Sequence, residues 1–334
     1  FASMLATTRT LLEGIKLRKR ECLARAITLI ESSNREHQHQ ATLLLQQLAQ
    51  HQGGHAKSLR LGIAGPPGAG KSTFIEQLGL RLIKKDHRVA VIPVDPSSHI
   101  SGGSILGDKT RMEQLTRSSN SYIRASPTRG VLGGIAEHTS DVISLCESAG
   151  YDVVVVESVG LGQSEVDIDS AVDMLLLLVP PGGGDSLQAT KKGIMEAADL
   201  VLVNKADGDL LNSAKHTKAD YAGAMQFVRR KNINWQPKVL MMSAYTGFNL
   251  DKVEEEIFGF HKLMLDNGSL IEKRTTQSKQ WTLGQFRRLL TETVESDNKW
   301  DPHVQELFAE IDRGRMTPRA AASRLLGKLD LKVL

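Results

Sequence analysis

An α/β fold with a mostly parallel central sheet, extended by helices at both ends, is what this sequence predicts. Three observations carry that expectation. Six short apolar runs recur between Leu59 and Ala244, stretches with helical spacing separate most of them, and the polar motifs fall just after the runs. Strands buried on both faces read as continuous apolar runs, and their alternation with helices implies parallel pairing through crossovers. In such a sheet, ligands bind at the carboxyl ends of the strands.

The 334 residues are 40% hydrophobic and 24% charged, enough for a packed core in one large or two modest domains. Residues 1–57 read as a helical N-terminal extension. "ECLARAITLIESS" sets Leu23, Ala26, Ile27 and Ile30 at helical spacing, and "HQATLLLQQLAQH" forms a second apolar-faced helix. "QGGHAKS" is a linker. The six runs of residues 58–268 are "LRLGIAG", "RVAVIPVD", "YDVVVVES", "MLLLLVPP", "LVLVNKAD" and "KVLMMSA". Residues 269–334 read as a helical C-terminal arm, with Thr317-Pro318 as an N-cap followed by proline at the first helical position.

The net charge of +4 is small, and its densest clusters, "KLRKR" (Lys16 to Arg20) and "RRK" (Arg229 to Lys231), read as solvated helix faces. Aromatic residues are only 4% of the chain, so nothing interleaves with these cations to favour nucleic acid. The longest apolar runs are far too short to cross a bilayer, so no membrane association is expected. Cys22 and Cys146 lie far apart and suggest neither a disulfide framework nor a zinc site, which points to a reducing compartment. The first residue is Phe1, the opening segment is basic and hydroxyl-containing, and the sequence pI is ≈ 9.0. These features favour a mitochondrial matrix slightly over a bacterial cytoplasm.

"GPPGAGKST" follows the first run and opens an apolar-periodic helix. It fits the phosphate-binding pattern G-x-x-x-x-G-K-[ST]. Gly65, Gly68 and Gly70 allow backbone conformations that side chains block, so the N–H groups of Gly65, Ala69, Gly70 and their neighbours can turn toward phosphate oxygens. Pro66 and Pro67 occupy the free positions. Lys71 supplies charge to the β and γ phosphates, and the Ser72 hydroxyl, with Thr73 beside it, reaches Mg²⁺.

"NKAD" (Asn204 to Asp207) ends the fifth run. The Asp207 carboxylate can accept two hydrogen bonds, from guanine's ring N–H and its exocyclic amine. Adenine has an acceptor where guanine has that N–H, so it would leave a carboxylate lone pair unmatched. Asn204 and the stem of Lys205 steady the loop. "SAYTG" follows the next run, where Ser243, Ala244 and Tyr245 can supply backbone contacts to the base edge.

"ESVGLGQSE" sets Glu157 at a strand end and Gly160 three residues later, an acidic-x-x-Gly switch in which the carboxylate serves Mg²⁺ and the glycine N–H touches the γ-phosphate. Asp95 and Asp108 also stand near the phosphate end. Magnesium keeps several waters, so not all three acids need be ligands, and the lesser reading of Asp108 is a simple cap on the helix "KTRMEQL". Small Ras-like GTPases carry a water-orienting glutamine after the switch glycine. Leu161 stands there instead, with Gln163 as a substitute two residues on, which predicts slow hydrolysis alone. The loop "PPGGGDSLQATKKG" offers Asp185, Gln188 and Lys191 for sensing a partner.

The strings "AGPPGAGKSTF", "VDPSSHISGGSILGDKTRM", "ESVGLGQSE", "GGGDSLQATKKGIMEAADL" and "NKADGD", in this order, resemble the GTPase chaperones of methylmalonyl-CoA mutase. That family includes the bacterial MeaB and ArgK proteins and the mitochondrial methylmalonic aciduria type A protein. The resemblance runs from about Arg20 to the C-terminus. It implies a P-loop NTPase of the SIMIBI type whose C-terminal helical arm makes a homodimer. It also implies GTP/GDP and Mg²⁺ as cofactors, and an adenosylcobalamin-dependent mutase as the partner that stimulates hydrolysis. By matching motif it assigns phosphate to Gly65–Thr73, guanine to Asp207, the base edge to Ser243–Tyr245, and magnesium to Ser72, Asp95, Asp108 and Glu157. This chain has Ser158, Leu161 and Ser186 where the family usually shows Thr, Val and Glu. A nickel-loading metallochaperone GTPase and a kinase acting on a transport binding protein stand as alternatives, but histidines are dispersed and no acceptor-binding motif is visible.

Overall fold

The computed structural model describes residues 2–32, 34–52, 57–95, 112–124, 126–127, 138–158, 168–182, 192–228, 231–296, 301–313 and 315–328. They form two compact units, Phe1–Arg274 and Thr275–Leu334.

The larger unit opens with three helices, α1 (Ala2–Lys16), α2 (Arg20–Ile30) and α3 (Arg35–Gln52). Leu23, Ala26, Ile27 and Ile30 of α2 are buried, as their spacing requires. There follow β1 (Leu59–Ala64), α4 (Lys71–Ile83), β2 (Val89–Asp95), α5 (Glu113–Arg117), β3 (Ser121–Ile123), β4 (Ser126–Pro127) and α6 (Thr139–Ser148). Then come β5 (Val153–Ser158), β6 (Met174–Val179), α7 (Lys192–Ala197), β7 (Leu200–Val203), α8 (Leu211–Met225), β8 (Lys238–Met241) and α9 (Leu250–Asp266). Helix α10 (Ser269–Ser296) carries the chain into the second unit, which also holds α11 (Asp301–Asp312) and α12 (Pro318–Lys328). The first turn of α12 is capped as expected: the Ala320 N–H donates to Thr317 Oγ1 at 3.3 Å. Among the described residues, no helix is long and apolar enough to cross a membrane.

Eight strands make one sheet, seven in the order β3-β2-β5-β1-β6-β7-β8 and β4 pairing with β2 off that path, and every pairing is parallel. The six apolar runs became six strands. Strands β3 and β4 were not expected from the sequence. They are three and two residues long and lie on the outer side of β2, pairing first with Val89–Val91 and then with Val94–Asp95. An edge tolerates such fragments, and Pro127 there lacks no needed donor.

Strands β5 and β6 are buried at every position, and β1 at all but Arg60. Phe74, Ile75, Leu78 and Leu82 of α4 close over one face together with Leu61, Ile63, Val155 and Leu176. Each such side chain contributes roughly 1.5–3 kcal/mol on burial.

The amino ends of the strands hold a buried ionic network. Arg274, 2% exposed, donates from Nε and Nη2 to Asp173 at 2.8 and 2.6 Å, and from Nη2 to the Ser58 carbonyl at 2.6 Å. Asp173 also accepts from the Arg60 N–H at 2.8 Å, and the Arg60 guanidinium forks onto Glu147 at 2.7 and 2.8 Å. Lys231, the described member of the "RRK" cluster, joins this edge through Asp169 and Asp199 at 2.7 and 3.0 Å. It lies in a loop instead of on a helix face, and its ammonium is held by the two carboxylates and the Ala197 carbonyl. Burial pushes the Asp169 carboxyl up, but Lys273 and Lys231 outweigh it and hold it below the usual range. With charges secured at this edge, the opposite, carboxyl edge is left to the polar loops.

Candidate nucleotide site

Strand β1 lies at the switch point of the sheet: the chain leaves it for β2 on one side, and β6 flanks it on the other. A crevice at the carboxyl ends is expected there. The turn Gly65–Gly70 fills that position. Three of its residues are glycines at positive φ, namely Gly65 (146°), Gly68 (79°) and Gly70 (89°).

Two of them are fixed by their neighbours as well as by φ. A Cβ on Gly65 would collide with the Leu178 carbonyl oxygen, and one on Gly70 would stand 2.5 Å from Asn204 Nδ2. Gly70 is the residue before α4 and has no side-chain cap, so the first N–H groups of that helix are left for a ligand. Pro66, Pro67, Gly68 and Thr73 are exposed, and Ala69 is buried.

Lys71 is 8% exposed and donates from Nζ to the carbonyls of Gly65 at 2.8 Å and Pro66 at 3.4 Å. These bonds hold the ammonium over the turn, where the sequence expects it to meet terminal phosphates. The Ser72 hydroxyl donates to Glu157 Oε1 at 3.3 Å, joining the first turn of α4 to the end of β5. A hydroxyl and a carboxylate, both oxygen donors, side by side at the phosphate loop fit a hard divalent cation such as magnesium. Asp95 ends β2 on the far side of β5, in register with Pro127. Asp108, Gly160, Leu161, Gln163 and the loop with Asp185, Gln188 and Lys191 lie outside the described residues.

The residues expected to meet the base lie two and three strands away. Lys205 takes a left-handed φ of 57°, which turns the chain sharply after β7. The Ala206 N–H then donates to the Met242 carbonyl at 3.0 Å, locking the loops after β7 and β8 together. The Ser243 hydroxyl donates to Asp207 Oδ2 and accepts the Thr246 N–H at 3.1 Å. Asp207 remains partly exposed and Tyr245 is 88% exposed, so the rim is open.

Asn204 joins the two ends. It is 2% exposed; its Nδ2 donates to the Ala69 carbonyl at 2.8 Å and its Oδ1 accepts the Ala244 N–H at 3.0 Å. One buried amide therefore ties the Gly65–Gly70 turn to the loop after β8. The sequence places Asn204 near the base, but its grip on Ala69, and the reason Gly70 must lack a side chain, appear only in three dimensions. Phosphate turn, Ser72–Glu157 pair and Asp207 loop thus share one edge of one sheet.

The family model described as methylmalonyl-CoA mutase-associated GTPase MeaB matches residues 23–305. The chain is 44% identical over 324 residues to the mouse protein named methylmalonic aciduria type A homolog, mitochondrial, covering 94% of this chain and 77% of that one. It is 40% identical over 324 residues to the Escherichia coli protein named GTPase ArgK, covering 97% and 96%. A crystal structure of a LAO/AO transport system kinase matches with TM-score 0.73 at 33% identity, covering 96% of this chain and 97% of that one.

Proposed function

Because the chain belongs to the MeaB family of methylmalonyl-CoA mutase-associated GTPases, we propose that it hydrolyses GTP to time the assembly, protection and reactivation of an adenosylcobalamin-dependent methylmalonyl-CoA mutase. The observation that supports the nucleotide part is the Asn204 bridge, which links the Ala69 carbonyl to the Ala244 N–H, between the loops that this reading assigns to phosphate and to guanine. The mutase as partner rests on the family's description and on the disease of methylmalonate metabolism in the mouse relative's name.

In this reading the helix N-terminus, the turn amides and Lys71 bind and orient the phosphates, and Asp207 selects guanine. Ser72 and Glu157 would hold magnesium, with Asp95 and Asp108 near it; the ion supplies neutralisation of the charge that develops on the phosphates. Gly160 would donate to the γ-phosphate. Leu161 has no group to orient the attacking water, and Gln163 or the partner must supply one. Homodimerisation through the C-terminal helices belongs to the same proposal: Leu283, Phe286 and Leu289 of α10 are each about half exposed and share one helical face. The mitochondrial and bacterial relatives leave two compartments, of which the mitochondrial matrix suits the basic balance.

The protein alone should turn over GTP well below about 1 s⁻¹, and an adenosylcobalamin-dependent mutase should raise that rate at least about tenfold. Steady-state phosphate release with and without the mutase checks both. An unchanged rate without complex formation removes the chaperone reading and leaves the GTPase. The 33%-identical transport system kinase favours a second reading, transfer of phosphate to a binding protein. Radiolabelled phosphate appearing on protein, instead of in solution, would select it.

A further inference from the structure

The "KLRKR" run does not lie on a helix face as its composition suggests. Helix α1 ends at Lys16 and α2 starts at Arg20. Between them the Arg18 N–H donates to the Ile15 carbonyl and the Lys19 N–H to the Gly14 carbonyl, both at 2.8 Å. This is a Schellman ending, whose left-handed residue is usually glycine. Here it is Arg18, at φ 59°. A long cation in a conformation that glycine adopts without penalty points to a use for the side chain.

That side chain joins other cations. Arg18 Nε and Arg88 Nη1 come within 2.9 and 3.1 Å of the point a Gly150 Cβ would occupy. Arg88 donates there to the carbonyls of Ala149 and Gly150, and its guanidinium lies 4.4 Å over the Tyr151 ring. Arg20 lies 5.6 Å from the centre of the Tyr122 ring. Of the nearby acids, Asp152 accepts from the Arg88 N–H and His87 Nδ1, Glu13 pairs with Arg9, and Glu21, in the first turn of α2, makes no ion pair with the run. Among the described residues Lys16, Arg18, Lys19 and Arg20 have no carboxylate within ion-pair distance. Leu17, 69% exposed, stands in their midst. Like charges brought together without a counter-charge repel one another, and an anion relieves this.

We propose that the Lys16–Arg20 turn, with Arg88, is a docking site for an acidic segment of a partner protein. Planar guanidiniums fork onto carboxylates, and ring stacking orients two of them in advance. Leu17 gives the contact an apolar centre. Single-stranded nucleic acid fits less well, because Tyr122 and Tyr151 are buried and offer no stacking surface. A lipid surface fits less well too, since Leu17 alone would have to insert. Arg88, Tyr122 and Gly150 lie at the amino ends of β2, β3 and β5, the edge of the sheet opposite the nucleotide turn. Docking there leaves the phosphate machinery untouched, and it does not depend on the identity of the nucleotide or of the mutase.

The test uses the full chain, a fluorescein-labelled peptide of alternating glutamate and alanine, and the double variant Arg18→Gly, Lys19→Ser. Both substitutions suit the local backbone: glycine fits the left-handed position, and serine fits the residue before α2. The wild type should bind the peptide with an affinity that falls as salt rises. The double variant should bind at least about tenfold more weakly, with unchanged GTP turnover and a melting temperature no lower than the wild type. No peptide binding by the wild type, or equal binding by both proteins, overturns the proposal. So does tighter turn-dependent binding of a single-stranded oligonucleotide or of phosphatidylserine vesicles, or a variant that melts lower because the cations were structural.

Discussion

Asp207→Asn is expected to weaken GTP binding by roughly a thousandfold and to make xanthosine triphosphate the better ligand. The carboxylate accepts the Ser243 hydroxyl through Oδ2 and is still partly exposed. An asparagine carbonyl can keep the Ser243 bond, so the loop after β8 should stay closed and the effect should fall on the base. Guanine presents a ring N–H and an amine; against the asparagine amide, one of these donors faces another donor, and a buried mismatch of that kind is costly. Xanthine carries a carbonyl where guanine has its amine, and the amide N–H₂ can satisfy it. Titrations of guanosine and xanthosine triphosphates on both proteins check this. Unchanged GTP affinity in the variant would mean that Asp207 does not meet the base.

Lys71→Ala should lower GTP turnover about 10²–10³-fold, the range for removing one well-placed electrostatic contact in a transition state. The ammonium, 8% exposed, is held by the Gly65 and Pro66 carbonyls over the turn. Those carbonyls border exposed residues, so water can replace the lysine and the melting temperature should change little. GDP binding should suffer less than GTP binding, because fewer phosphate oxygens lose a partner. Single-turnover hydrolysis and nucleotide titration separate the two effects. A variant that hydrolyses GTP within about twofold of the wild type would place the catalytic charge elsewhere.

The parts of the site written as local chemistry were legible in the sequence. Glycines spaced for a phosphate turn, a lysine and serine at its end, and an Asn-Lys-x-Asp after an apolar run each carry their own constraint. Strands β1, β2, β5, β6 and β7 were legible because burial on both faces leaves unbroken apolar runs, and the half-exposed edge strand β8 because Val239–Met242 is apolar. Strands β3 and β4 were not, since Ser121–Ile123 and Ser126–Pro127 are too short to show a period and draw their order from β2. The ion pair of Asp173 with Arg274 joins residues 101 apart and leaves no trace in spacing. The turn at Arg18 was hidden for a different reason. No glycine or proline stands between Lys16 and Arg20, so the sequence reads on as helix where the chain turns.

The central claim is that the turn after β1 and the carboxylate after β7 grip opposite ends of one nucleotide. The most direct test is a competition titration of GTP against ATP on the wild-type protein with magnesium present. GTP should displace a bound fluorescent guanine nucleotide at concentrations at least about 100-fold lower than ATP does. Equal displacement by the two would show that Asp207 and the Asn204 bridge play no part in holding the base, and would contradict the account.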